Sequence, residues 1–130
     1  MIYLADVRDW IKTFNVAENY YIGKLDAKKE KSIGVYQRQL SESPQALGGL
    51  TNKKVEAKGV SVLIHWNSNA AETERAAAGL FEALRSVDNV TIAGKAVYYV
   101  EIAVNEPIDV GMDDGGIYER VIWLNLYYER

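Results

Sequence analysis

Tyr3, Val7, Trp10, Ile11 and Phe14 recur at the three-and-four spacing of one helix face, which predicts a short amphipathic helix at the start of the chain. Two strand-like runs follow, "YYIGKL" (20–25) and "KSIGVYQRQL" (31–40), on either side of the charged turn "DAKKEK", and the pattern predicts a β-hairpin. Ser, Pro and Gly concentrate in 41–53, which predicts a long loop. From Lys54 to Trp66 the apolar residues Val60, Val62, Ile64 and Trp66 alternate as in a half-buried strand.

"NSN" (67–69) supplies helix N-cap residues, and Asn69 followed by Glu72 has the spacing of a capping box. The helix predicted over 70–87 places Thr73, Ala77, Leu80, Leu84 and Val87 on one side, widened by Ala76 and Phe81. Its middle, "AAAG" (76–79), has little side-chain bulk and suits close packing in a core. "VTIAGKAVYYVEIAV" (90–104) predicts a short strand, a tight turn at Ala93-Gly94 and a long strand. An acidic, glycine-containing loop from Glu106 to Gly116 leads into a final aromatic strand. These elements define one α+β domain spanning 1–130, a single antiparallel β-sheet with two α-helices packed on one face.

Because side chains alternate across a strand, the two faces of that sheet can be separated by parity. Val60, Val62, Ile64 and Trp66, then Ala96, Tyr98, Val100, Ile102 and Val104, then Tyr118, Ile122, Leu124, Leu126 and Tyr128 are assigned to the helix-covered face, with Arg120 as an interruption. The reverse face then carries Leu63 and His65, Val97, Tyr99 and Ala103, and Val121, Trp123 and Tyr127, among Glu101, Glu119 and Asn125. That face is too apolar and aromatic for one turned to water. Trp and Tyr bury large area while keeping a polar group, so an aromatic patch rimmed by charges predicts a subunit or partner interface at Val97, Tyr99, Val121, Trp123, Tyr127, Leu63 and His65. The competing expectation is that a segment of the same chain, such as 41–53, folds over this face.

Composition narrows the function by exclusion. The chain has 130 residues, 48% of them hydrophobic and 25% charged, which is an ordinary globular balance. Fifteen basic residues against 18 acidic give a net charge of −3, without the basic surplus that phosphate neutralisation of nucleic acid needs. With no cysteine there is no disulfide, thiolate metal site or cysteine nucleophile. The first residues lack the apolar run of a signal peptide, and no stretch is long and apolar enough to span a bilayer, so the expected compartment is the cytoplasm.

Candidate chemistry is sparse. The single histidine, His65, sits inside a strand and has no visible orienting partner, so it is read as a half-buried or interfacial residue and not as a catalyst or metal ligand. Asp109, Asp113 and Asp114 in "DVGMDDGG" do not have EF-hand spacing. They are read as a solvated turn in which Asp bonds its own main chain and Gly115 and Gly116 take positive φ. Gly48-Gly49 lacks the lysine and the strand-to-helix setting of a phosphate-binding loop. No catalytic, cofactor-binding or metal residue is assigned.

The segment "EPIDVGMDDGGIYERVIWLNLYYER" resembles the ending of the bacteriophage minor capsid and tail-terminator proteins, in which a proline-containing acidic loop and an aspartate-glycine turn precede a tyrosine-rich closing strand. "SVLIHWNSNAAETERAAAGLFEAL" is similar too, so the resemblance covers residues 55–130 well. Pro107, Asp109, Gly111, Asp113, Gly116, Tyr118 and Glu119 match the family's loop pattern. The resemblance implies a non-enzymatic virion protein of the tail or neck, assembled in the bacterial host cytoplasm. It further implies a small α+β subunit that forms a homo-oligomeric, hexameric ring on the tail-tube protein, stops tube growth and docks to the head-tail connector protein. Such a ring needs two different patches on each subunit. No cofactor, membrane or nucleic-acid partner is implied. Two alternatives stay open: a head-completion or neck component of the same virion, and a small-molecule-binding or enzymatic α+β domain with a pocket around His65, Trp123 and Tyr99.

Overall fold

The computed structural model describes residues 1–40 and 55–130; the loop predicted over 41–53 lies outside them. The described elements are, in chain order, α1 (Leu4–Lys12), β1 (Asn19–Ile22), β2 (Ser32–Gln37), β3 (Val55–His65), α2 (Ala70–Arg85), β4 (Val90–Ile92), β5 (Lys95–Ile102), β6 (Ile108–Met112) and β7 (Tyr118–Glu129). The strands form one curled sheet in the order β1-β2-β3-β7-β5-β4, with β6 also paired to β7. β7 is the axis of the sheet. One edge pairs with β3 along its whole length, and the other is shared by β6 at its first half and β5 at its second.

Both helices follow from local rules. In α1, Val7, Trp10 and Ile11 are buried as the periodicity requires, whereas Tyr3 lies outside the helix and is exposed. The Asp6 side chain accepts the Tyr3 N–H at 2.9 Å and closes the first turn. In α2 the Asn69 carboxamide accepts the Glu72 N–H at 3.0 Å, the predicted cap. Glu72 does not return the bond; its carboxylate takes the Asn67 side-chain N–H at 2.7 Å, while Asn67 Oδ1 accepts the Asn69 N–H. Of the small residues in the helix middle, only Ala77 is fully buried, and a Cβ added at Gly79 would meet nothing.

The sheet departs from the expected antiparallel arrangement at its first edge. β1 and β2 pair in parallel, Asn19 with Ser32 through Ile22 with Val35, so the predicted hairpin is not formed and the sheet is mixed. The reason lies in the nine-residue connection 23–31. Gly23, at φ +66°, turns the chain out of β1, its N–H bonds to Val35 O, and buried Leu25 packs where the missing Gly34 side chain would be. The Lys31 N–H then bonds to Trp66 O, and Lys31 O receives the Glu18 and Asn19 N–H groups, which starts β2 level with β1. By contrast, β4 and β5 form the predicted hairpin, with Ala93 and Gly94 both at positive φ between paired Ile92 and Lys95.

Two further corrections concern β5 and β6. Between Val97 and Tyr99 the register against β7 shifts, so Val97 lies opposite Tyr128 and Tyr99 opposite Tyr127. This bulge at Tyr98 reverses the parity of everything before it. Val97 is therefore a core residue, 6% exposed, and is removed from the reverse face, whereas Tyr98, expected in the core, is 60% exposed. The acidic loop, in turn, contains a strand: β6 pairs with β7 from Ile108–Val121 to Met112–Tyr118, with a second irregularity at Gly111, φ +83°.

One core joins these elements. Ile33 and Val35 of β2, Val60, Val62 and Ile64 of β3, and Ile122, Leu124, Leu126 and Tyr128 of β7 pack with Val7, Trp10 and Ile11 of α1 and Ala77, Leu80, Phe81 and Leu84 of α2. Tyr128 also ties the N-terminal segment to the last strand: its hydroxyl accepts the buried Ile2 N–H at 3.2 Å and donates to Glu56 at 3.0 Å. Tyr128→Phe is expected to cost about 1–2 kcal/mol in chemical denaturation, because it leaves a buried N–H without a partner. Burial pushes the Tyr128 hydroxyl above its ordinary pKa, and the bond to anionic Glu56 acts the same way. The neutral phenol is thus favoured in the folded state. Its contribution is complete below the unfolded tyrosine value near 10 and is lost as pH rises from there through the folded value. The variant should lose less stability than the wild type on going to alkaline pH.

Candidate interaction face

The reverse face of the sheet is divided between two kinds of surroundings. At the end near His65 the chain covers itself. Gly34 is paired with Leu63, and the position of a Gly34 Cβ is hemmed in by Leu25 Cδ2 at 3.3 Å and Tyr36 Cε1 at 3.2 Å. Leu25 is buried yet is not among the residues of the main core, so the connection 23–31 forms a flap over Gly34 and, through Ala27, over His65. Burial raises the pKa of the Tyr36 hydroxyl, with Glu119 adding to the effect and a backbone bond at Leu25 opposing it. Among the described residues, the part of the chain that lies over this end of the face is 23–31; the loop 41–53, named in the competing expectation, lies outside them.

His65 lies under this flap. It is fully buried, which corrects its reading as half-buried or interfacial. It faces Glu119 across the β3–β7 ladder, with Nδ1 2.8 Å from Glu119 Oε2 and 3.7 Å from Asp113 Oδ2, while Nε2 is 3.0 Å from Ala27 O. Asp113 reaches the ring from the β6–β7 turn. Its Oδ1 accepts the Gly115 and Ile117 N–H groups at 2.9 Å each, and Gly116, not Gly115, takes positive φ. The turn chemistry of Asp and Gly was legible in sequence. The convergence of Asp113 and Glu119 on a histidine about fifty residues earlier was not, because only the strand register creates it.

Beyond the flap the face opens. Tyr99 and Tyr127 are cross-strand partners stacked at 6.2 Å between ring centroids and 16° between planes. Tyr99 is 60% exposed and Trp123 39%, while Tyr127, Val121 and Leu63 are half-buried. The Arg38 guanidinium sits 5.4 Å from the Trp123 ring centroid and hydrogen-bonds to Asn125 Oδ1. Asn125 in turn donates to Glu101 Oε1 at 2.7 Å, and Tyr127 donates to the same oxygen at 3.2 Å. Trp123 and Tyr127 are therefore tied into one polar net with Arg38, Asn125 and Glu101. Arg38 and Tyr36 were missed in the sequence, although they share parity opposite to the core residues Ile33 and Val35.

The other predicted residues separate. Asp109 accepts the Gly111 N–H at 2.9 Å and lies 3.7 Å from Arg120, and Asp114 is exposed at the turn. His65 is four residue rows from Trp123 along the β3–β7 ladder, about 13 Å, and is fully buried whereas Trp123 is exposed. A cleft of about 300 Å³ lies elsewhere, bounded by Phe81, Glu82 and Arg85 of α2, Pro107 and Arg120.

The fold is thus a small α+β domain whose reverse face carries exposed aromatic rings braced by polar contacts. The family model described as bacteriophage tail terminator protein matches residues 2–130, and the chain belongs to that family. The family is a structural one, a component of the virion tail. Among curated proteins, none matches the sequence.

Proposed function

We propose that the chain is the subunit of a hexameric ring that caps the tail tube, ends its growth and docks to the head-tail connector. In this reading Tyr99, Trp123 and Tyr127, flanked by Val121 and Leu63, meet a neighbouring subunit. The supporting observation is that, among the described residues, Tyr99 and Trp123 are exposed beyond the flap, on a face braced by Arg38, Asn125 and Glu101. Large aromatic residues at the centre of an interface commonly contribute 2 kcal/mol or more each on truncation, so a charge placed there should be disruptive. His65 and Val97, being interior, take no direct part.

The test is the mass of the particle formed by the protein alone and with purified tail tubes, measured by native mass spectrometry and electron microscopy. A six-subunit ring on tube ends is expected for the wild type. Trp123→Glu with Tyr99→Glu should remain folded by circular dichroism and fail to cap tubes. Capping by the double variant at wild-type concentration would reject this face as the subunit contact. Binding to capsid portals in place of tube ends would assign the chain to head completion.

A further inference from the structure

We propose that His65, Asp113 and Glu119 bind a divalent transition-metal cation of the zinc class. One ligand atom from each residue lies within 4.8 Å of the other two. The hydrogen-bond inventory shows why a cation belongs among them. Ala27 O can only accept, so His65 Nε2 must carry the proton that faces it at 3.0 Å. Nδ1 lies 2.8 Å from Glu119 Oε2, a hydrogen-bond contact, and 3.7 Å from Asp113 Oδ2; a cation entering here would take the place of the proton shared by Nδ1 and Glu119, as metal binding at histidine and carboxylate ligands releases protons. A fully buried imidazole nitrogen is thus held beside two carboxylate oxygens on which a cation could replace the bridging proton. A backbone carbonyl holding the far nitrogen is also how protein metal sites commonly fix the tautomer and orientation of a ligating histidine.

The distances suit a small ion. Ligands held at about 2.1 Å in tetrahedral array stand about 3.4 Å apart. The two Nδ1 separations, 2.8 and 3.7 Å, bracket that value. Asp113 Oδ1 is committed to two backbone N–H groups, which leaves Oδ2 as its free ligand atom. One imidazole with two carboxylates favours zinc, cobalt or manganese over magnesium or calcium. The ion would pin together four parts of the chain: β3, β7, the β6–β7 turn and, through Ala27, the flap over the reverse face.

The full chain, freed of metal by chelation, is titrated with Co²⁺ and then Zn²⁺, reading cobalt d–d absorption and heat of binding. Saturable one-to-one binding is expected, with zinc displacing cobalt. Asp113→Asn and Glu119→Gln should each weaken it at least tenfold while remaining folded by circular dichroism. Asp114→Asn, on the same turn but outside the cluster, should bind as the wild type does. The proposal is overturned by the absence of saturable binding up to millimolar metal, by unchanged affinity in both Asp113→Asn and Glu119→Gln, or by equal weakening in Asp114→Asn. Because the readout is metal binding by the isolated chain, it does not depend on ring assembly.

Discussion

Leu124→Ala is expected to lower the unfolding free energy by about 3–4 kcal/mol. Leu124 is completely buried at the middle of β7, opposite Val60 on one side and Ile102 on the other. Truncation removes its transfer free energy and leaves a cavity walled by sheet residues that cannot close in, because β7 is hydrogen-bonded along both edges. Proteins of ordinary stability hold about 5–15 kcal/mol in all, so the variant should fold but melt about 10 °C lower. Urea denaturation followed by tryptophan fluorescence measures the loss. A change below about 1 kcal/mol would mean that β7 is not the packed centre of the fold.

Gly59→Ala is expected to cost about 2–3 kcal/mol although it adds a single methyl group. A Cβ at Gly59 would stand 2.2 Å from Arg38 O and 3.3 Å from Leu40 Cδ2. The obstacle is backbone, and it is tied in place: the Arg38 N–H bonds to Gly59 O at 2.9 Å. Relief requires the chain at Arg38 to lift off β3. That movement would also draw the guanidinium from Trp123 and Asn125, so loss of stability should be accompanied by altered Trp123 fluorescence. Gly59 is needed for space and not for an unusual φ, and at Gly79, where nothing approaches, the same substitution should be harmless or stabilising. Wild-type stability of Gly59→Ala would show that the segment after β2 does not cross β3 at this point.

Folding and surface contact are separable properties of this chain. Leu124 and Gly59 govern whether the subunit folds, whereas Trp123 and Tyr99 are exposed and their replacement should leave the core intact. A variant that unfolds and a variant that fails to assemble can therefore be told apart by circular dichroism and particle mass.

The sequence by itself determined the parts of this protein that depend on neighbours along the chain. Both helices, the Asn69 cap, the Ala93-Gly94 turn and the alternating faces of β3 and β7 were legible because each rests on local spacing: 3.6 residues per turn, a period of two, or a turn residue that tolerates positive φ. The resemblance to the family rests on local segments, the strand and helix over 61–84 and the β6–β7 hairpin, and the family model matches residues 2–130. Tertiary structure alone decided what depends on how strands meet. Two apolar runs around a short polar connection read as a hairpin, and the parallel pairing goes with contacts distant in sequence: Gly23 N–H to Val35 O, Lys31 N–H to Trp66 O and Leu25 packed against Gly34. One extra residue at Tyr98 moved Val97 into the core and Tyr98 out of it, a shift that a parity rule cannot register because it assumes an unbroken ladder. His65 likewise gained Asp113, Glu119 and Ala27 as neighbours through the β3–β7 register and the fold of the flap, contacts between residues too distant in sequence for any local pattern to bring together.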